Sequence, residues 1–270
     1  VGGDAGGTSI GVAPGAQWIA AKVFDDDNKA TTSAIHQAFQ WVLDPDGDPN
    51  TPDAPQVVNS SWTYIAPGCD LEFQPDLRAL SLAGILPVFA AGNYGPSENT
   101  STFPANNPDG FAVGATYDDD ANYEGSSRGP SDCGETETIY PELVAPGVRI
   151  RSTNGEDDYI DTWTGTSMAA PHVSGALALL FNAAPNISLS VQKAALMHTA
   201  VDLGEAGPDN IFGYGRLDVL AAYHWLEAHH LVPTPSQTIT DTPTLTPTPV
   251  QIQHVLPLIF KDGVFATPDL

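Results

Sequence analysis

The chain has 270 residues and 41% apolar content, enough for one sizeable domain with a real core. Its formal charge of -24 comes from 33 acidic against 9 basic residues, which excludes the basic footprint of a nucleic-acid binder. A charge this large keeps a protein soluble but self-repelling, a strain that salt or bound cations would relieve.

The sequence opens at Val1 inside a glycine-rich run, Val1 to Gly7, with no charged or apolar leader, and the N-terminus reads as a cut. Trp18 to Val23 reads as a short apolar strand. Thr31 to Leu43 reads as a helix opened by Thr/Ser caps with Ile35, Phe39 and Val42 on one face, and Val57 to Trp62 as a second strand. Leu77 to Ala83 looks helical, while Leu86 to Ala91 and Phe111 to Ala115 are buried-type strands. Strands alternating with helices predict an α/β, doubly wound, mainly parallel sheet with flanking helices. In such sheets the site lies beyond the carboxyl ends of the strands, which points to the loops after Val23, Ser61 and Ala91.

A helical stretch, Asp218 to Ala228, ends the expected domain at about residue 231. Residues 232–249 change to Pro/Thr-rich composition, read as a disordered linker or stalk. Residues 250–270 form a short tail whose apolar patch, Val255 to Phe260, is too short to span a bilayer and too small to fold alone. Docking onto the domain and surface retention are both open to it. No run of 18 apolar residues occurs, so no membrane-spanning helix is expected.

Cys69 and Cys133 are the only cysteines, without Cys-x-x-Cys spacing, so a zinc or redox pair has no support. A single disulfide is the simpler reading and two buried thiols the alternative. The acidic loop Asp44 to Asn50 spaces carboxylates like the start of a calcium loop, with Gly47 free for a sharp turn. Its twelfth position is Pro55 instead of Glu, so the helix-loop-helix pattern fails, and structural calcium competes with a solvated turn.

The chemistry-bearing segment is Gly165-Thr166-Ser167-Met168-Ala169-Ala170-Pro171-His172-Val173-Ser174-Gly175, where a loop becomes a helix. A serine there would sit on a tight turn with its own N–H and the positive end of a helix dipole aimed at an oxyanion. The plainer reading makes Ser167 an N-cap. In Ala90-Ala91-Gly92-Asn93 an amide follows a buried strand and could be a second oxyanion donor, or an ordinary turn Asn.

These segments, with Trp18 to Asp26, Phe39-Gln-Trp41, Val58-Asn-Ser-Ser-Trp62, Ser126-Ser-Arg-Gly-Pro130, Val144-Ala-Pro-Gly147 and Gly213-Tyr-Gly215, resemble the subtilisin-like serine proteases, bacillopeptidase F relatives above all. The resemblance covers most of residues 1–222. It implies secretion or attachment at the cell surface, polypeptide substrates, a monomer, and chemistry without a cofactor or catalytic metal. It further implies Ser167 as nucleophile, Asn93 as oxyanion side chain, and a substrate-pairing strand at Ser60 to Thr63. Ser61 and Trp62 would contact substrate there, though Thr63 departs from the usual glycine. Ala91 and Gly92 would form part of the pocket wall.

The family places its acid first, then a histidine in a His-Gly-Thr-His type motif, then the serine, and neither upstream motif occurs here. The expectation is therefore a fold lacking its N-terminal strand and helix, an exposed apolar sheet edge, and a chain inactive alone. Asp4 is not promoted to the triad. His172 is five residues from Ser167, about 140° round the helix, and faces away. His36 is expected on a helix surface. His198, His224, His229 and His230 belong to C-terminal helical segments, and His254 lies past the linker. A catalytically dead relative acting as an extracellular peptide-binding or scaffold module is the alternative from another class.

Overall fold

A computed structural model describes residues 10–131, 133, 134, 136, 138–154, 159–233 and the strand at 255–259. The glycine-rich opening, the Pro/Thr stretch read as a linker, and His254 lie outside the described residues. In chain order the elements are β1 (Gln17–Ile19), α1 (Thr32–Leu43), β2 (Val57–Ser60), α2 (Gln74–Leu82), β3 (Leu86–Ala90), β4 (Phe111–Thr116) and β5 (Leu143–Pro146). Then come β6 (Ile150–Thr153), β7 (Tyr159–Trp163), α3 (Thr166–Ala183), α4 (Leu189–Thr199), α5 (Val219–Ala228) and β8 (Val255–Ile259).

The central sheet runs β1-β8-β2-β3-β4-β5 with every pair parallel, and β6 and β7 form a separate antiparallel hairpin. Helices cover both faces of the sheet, as the strand and helix alternation predicts. Because neighbouring residues of a strand point to opposite faces, the buried runs divide between two cores. Val57, Val88 and Val113 meet Val173, Leu177 and Leu180 of α3 on one side. Val58, Phe89 and Ala112 meet Phe39 of α1 and Leu77 and Leu80 of α2 on the other.

Local chemistry sets the ends of these elements. The Thr31 hydroxyl caps α1 by accepting from Ala34 N–H at 3.2 Å, and Ile35, Ala38, Phe39 and Val42 form its buried stripe. α2 starts earlier than the apolar pattern suggests, because Pro75 in its first turn needs no N–H partner. His36, expected at the surface, instead bridges the two helices. Its Nδ1 lies 2.7 Å from Asp76 and its Nε2 3.1 Å from Glu72.

The open edge expected beside β2 is absent, since β8 lies between β1 and β2 and pairs with both. A disulfide joins Cys69, in the loop after β2, to Cys133, ahead of β5. No helix among the described residues is long and apolar enough to cross a membrane.

Candidate active site

Three chain segments meet beyond the carboxyl ends of β2 and β3: Ser61 to Thr63, Ala91 to Asn93, and the first turn of α3. The N-cap of α3 is Gly165, at φ +142°, with no side-chain cap bond, so Ser167 stands at the second helical position and is not the cap. Its hydroxyl is thus free of capping duty on a half-buried residue. Among the described residues its N–H has no hydrogen-bond partner, as expected for the first turn of a helix. The 18-residue helix directs the positive end of its dipole to this point.

Pro171 explains the other half of the Ser167 peptide. In an α-helix the carbonyl of residue 167 would accept from the N–H of residue 171, and proline has none. The Ser61 hydroxyl takes that place, donating to the Ser167 carbonyl at 2.8 Å across 106 residues of sequence. Ser61 is itself held by Asn59, whose Nδ2 donates to Ser61 Oγ at 2.9 Å. The Ser174 hydroxyl donates to Asn59 Oδ1 at 3.1 Å. Asn59 and Ser174 are fully buried, so this row of polar groups fixes β2 against α3 where unsatisfied partners would be costly.

The Asn93 amide is oriented just as firmly. Its Oδ1 accepts from Thr166 N–H at 3.0 Å and from the Thr166 hydroxyl at 3.2 Å. A backbone N–H can only donate, so the amide oxygen is the atom facing Thr166. The Thr166 hydroxyl in turn accepts from Gly92 N–H at 3.1 Å. A Cβ at Gly165 would stand 3.3 Å from Asn93 Nδ2, which is why a residue without one serves there.

Gly92, at φ +101°, turns the chain out of β3, and a Cβ on it would approach Ser127 Oγ to 2.8 Å. Behind it the buried Ala91 carbonyl accepts from the Tyr140 hydroxyl at 2.5 Å and from Thr102 Oγ1 at 3.0 Å. Burial raises the Tyr140 phenol well above its ordinary pKa and keeps it protonated.

Of the residues expected to meet substrate, Ser61 is half-buried and lies under Ser167. Trp62 is 8% exposed, its ring edge-on to Phe24, Phe73 and Phe89, and Thr63 is 3% exposed with its hydroxyl donating to the Tyr64 carbonyl. Tyr94 adds a tie that the sequence did not suggest, its hydroxyl donating to the Tyr64 carbonyl at 3.0 Å and joining the Asn93 loop to the loop after β2.

Among the described residues no histidine is hydrogen-bonded to Ser167. His172 donates from Nδ1 to the Met168 carbonyl at 2.8 Å and is committed to its own helix, and burial lowers its pKa. His36 pairs with Asp76 and Glu72, His224 with Glu227, His229 with the Trp225 carbonyl, and His198 stacks on Trp225. Away from this region, Asp44, Asp46 and Asp53 bring carboxylate oxygens within 4.8 Å of one another. The Asp46 carboxylate already accepts from Asp48 N–H at 2.8 Å and from the Thr51 hydroxyl at 2.9 Å.

A serine at a helix start, an oriented amide beside it and a parallel sheet beneath are thus in place, and residues 1–215 match the Subtilase family. The chain belongs to the subtilase family. It is 40% identical to bacillopeptidase F of Bacillus subtilis (strain 168) over 236 residues, 82% of this chain and 16% of that protein. It is 33% identical to subtilisin BL of Lederbergia lenta over 213 residues, 79% of this chain and 70% of that one. With subtilisin E of Bacillus subtilis (strain 168) the identity is 34% over 215 residues, 79% of this chain and 50% of the relative. The chain thus spans only 16% of the length of bacillopeptidase F. Subtilases are serine-type peptidases that need no catalytic cofactor.

Proposed function

We propose that this subtilase segment supplies the nucleophile and oxyanion half of a serine endopeptidase: Ser167 Oγ bonds to the peptide carbonyl carbon, the C–N bond breaks as the amine leaves, and water then hydrolyses the acyl-Ser167 ester. Asn93 Nδ2 and Ser167 N–H take the charge that develops on the carbonyl oxygen, an interaction worth about 3 kcal/mol per donor in comparable sites. The main chain of Ser61 to Thr63 receives the substrate backbone, and Ala91 and Gly92 wall the pocket before the scissile bond. The single observation behind this reading is the paired fixation of Ser167 and Asn93 through Ser61 and Thr166.

A serine hydroxyl needs a base to accept its proton as the bond to the carbonyl forms, and the same base returns that proton to the leaving amine. Among the described residues no histidine stands in that position, and this reading takes the imidazole and its acid from outside the segment, which alone does not turn over. The Cys69–Cys133 disulfide supports a reading in which the protein works in an oxidising compartment, outside the cell or on its surface, and polypeptide substrates and a monomeric state belong to the same reading.

The test is hydrolysis of a denatured polypeptide by the longest natural sequence that contains this chain, by the 270 residues alone, and by both carrying Ser167→Ala. Activity in the long form only, lost with Ser167→Ala, is the expected result. A long form without activity that still binds extended peptides would replace the reading with that of a peptide-binding relative.

A further inference from the structure

The segments after β2 and β3 are tied to each other and to a third, Thr102-Phe103. From the Asn93 loop, the Tyr94 hydroxyl donates to the Tyr64 carbonyl at 3.0 Å. Tyr64 N–H donates to the Phe103 carbonyl at 3.2 Å, and the two rings stack with centroids 4.1 Å apart. The third tie runs from Thr102 Oγ1 to the Ala91 carbonyl, again at 3.0 Å. Three segments thus close into a ring beside the proposed place of the residue before the scissile bond. Its members hold almost no water-facing surface, with Ala91 and Thr102 0% exposed and Thr63 3%. A pocket shaped for a large side chain leaves its lining open to solvent while empty, and these residues are closed.

We infer that this ring confines the substrate residue before the scissile bond to a small side chain, glycine, alanine or serine, and that Tyr94 and Thr102 set the limit. The inference deepens the peptidase reading and rests on it for the place of the substrate. Thr63 and Thr102 are β-branched and stiff, and each hydroxyl is spent on a carbonyl, Thr63 on Tyr64 and Thr102 on Ala91. Swinging either side chain away would leave a buried hydroxyl unpaired. The wall cannot draw back either. Its Ala91 carbonyl also accepts from the buried Tyr140 hydroxyl, and the Gly92 carbonyl accepts from Ser127 N–H at 3.0 Å. A leucine or phenylalanine side chain must therefore part Tyr94 from Tyr64 or displace Thr102, a penalty that a methyl group is small enough to escape. Tyr94 and Thr102 act on the choice of substrate and not on the reacting atoms.

The experiment uses peptides of one sequence that differ only in the residue before the scissile bond, glycine, alanine, leucine or phenylalanine. Hydrolysis is followed with the longest natural sequence containing the chain, and binding is measured by calorimetry on the same protein carrying Ser167→Ala. The alanine peptide should be cut with kcat/KM at least about 50-fold above the leucine and phenylalanine peptides, and should bind more tightly than either. Tyr94→Phe, which keeps the ring and removes the bond to Tyr64, should raise the large peptides relative to alanine by about tenfold, as should Thr102→Ala. A merely structural loss would lower all four peptides alike and leave that ratio unmoved. Ratios unchanged by both variants would overturn the inference. A protein that cuts the phenylalanine peptide best would keep the peptidase reading and overturn the small pocket. One that cuts none, yet binds the alanine peptide above the phenylalanine peptide, would fail the peptidase reading and support the pocket. A Ser167→Ala protein that binds none of the four would overturn it.

Discussion

The two ends of the central sheet are held by different means. From β2 to β5 the strands are four to six residues long and almost wholly buried, with helices on both faces. β1 and β8 make a far thinner end, a three-residue strand with an exposed tryptophan beside a segment that arrives from the far end of the sequence. All the candidate site residues hang from the firm end. The contrast sets a buried, helix-covered body that carries the candidate site against a thin edge.

Removing the disulfide should weaken the firm end most. Cys69 and Cys133 are 64 residues apart, and opening a loop of that size costs about 4 kcal/mol in the chain-entropy account. The Cys69→Ala, Cys133→Ala chain should therefore unfold at clearly lower denaturant, with a loss of roughly 2–4 kcal/mol. A loss below about 1 kcal/mol would show that the β2 to β5 body does not need the bridge.

Asn93→Ala in the assembled peptidase should lower kcat by roughly 100- to 1000-fold with KM little changed, because the amide acts on charge present only in the transition state. Thr166→Val leaves the amide in place but removes the hydroxyl between Gly92 N–H and Asn93 Oδ1. It should fall between wild type and Asn93→Ala, and an Asn93→Ala enzyme of normal kcat would remove the amide from the oxyanion site.

Glu142 makes a prediction about pH. Burial raises its pKa to about 7, against the pull of the Ala112 N–H that its Oε2 accepts at 2.7 Å and of the Lys193 charge. Between the unfolded value near 4.5 and about 7 the folded state binds more protons than the unfolded one, so stability declines as pH rises through that window. Glu142→Gln keeps an acceptor for Ala112 and should flatten the decline, which amounts to roughly 3 kcal/mol at most. An unchanged slope in denaturant midpoints between pH 4.5 and 8 would contradict the burial of the carboxylate.

The smallest effect belongs to the thin end. Trp18→Ala should alter stability by less than about 0.5 kcal/mol, as surface changes usually do. A larger loss would mean that β1 bears more of the fold than its exposure suggests.

What was legible in the sequence follows the same division. The cap at Thr31, the stripe Ile35, Phe39 and Val42, and the buried runs of β2, β3 and β4 are local patterns, and each appears where periodicity placed it. Gly165 to Ser167 was legible as a loop becoming a helix, and Gly92-Asn93 as the turn after a buried strand. The bonds that unite them were not, because Ser61 and Ser167 are 106 residues apart and no local pattern records such a meeting. Pro171 held the one available signal, since a proline four residues after the serine announces a helix carbonyl in need of another donor. β8 escaped for the opposite reason: a five-residue apolar run interrupted by proline argues against a central strand, and only the cleft beside β2 gives it that role.

The most direct test of Ser167 as a nucleophile whose base lies outside these residues is labelling with a serine-directed fluorophosphonate, the adduct being located by mass spectrometry. The longest natural sequence containing the chain should carry one adduct at Ser167, lost with Ser167→Ala, while the 270 residues alone label poorly. Strong labelling of Ser167 in the 270-residue chain, or an adduct on another serine of the longer protein, would contradict the account.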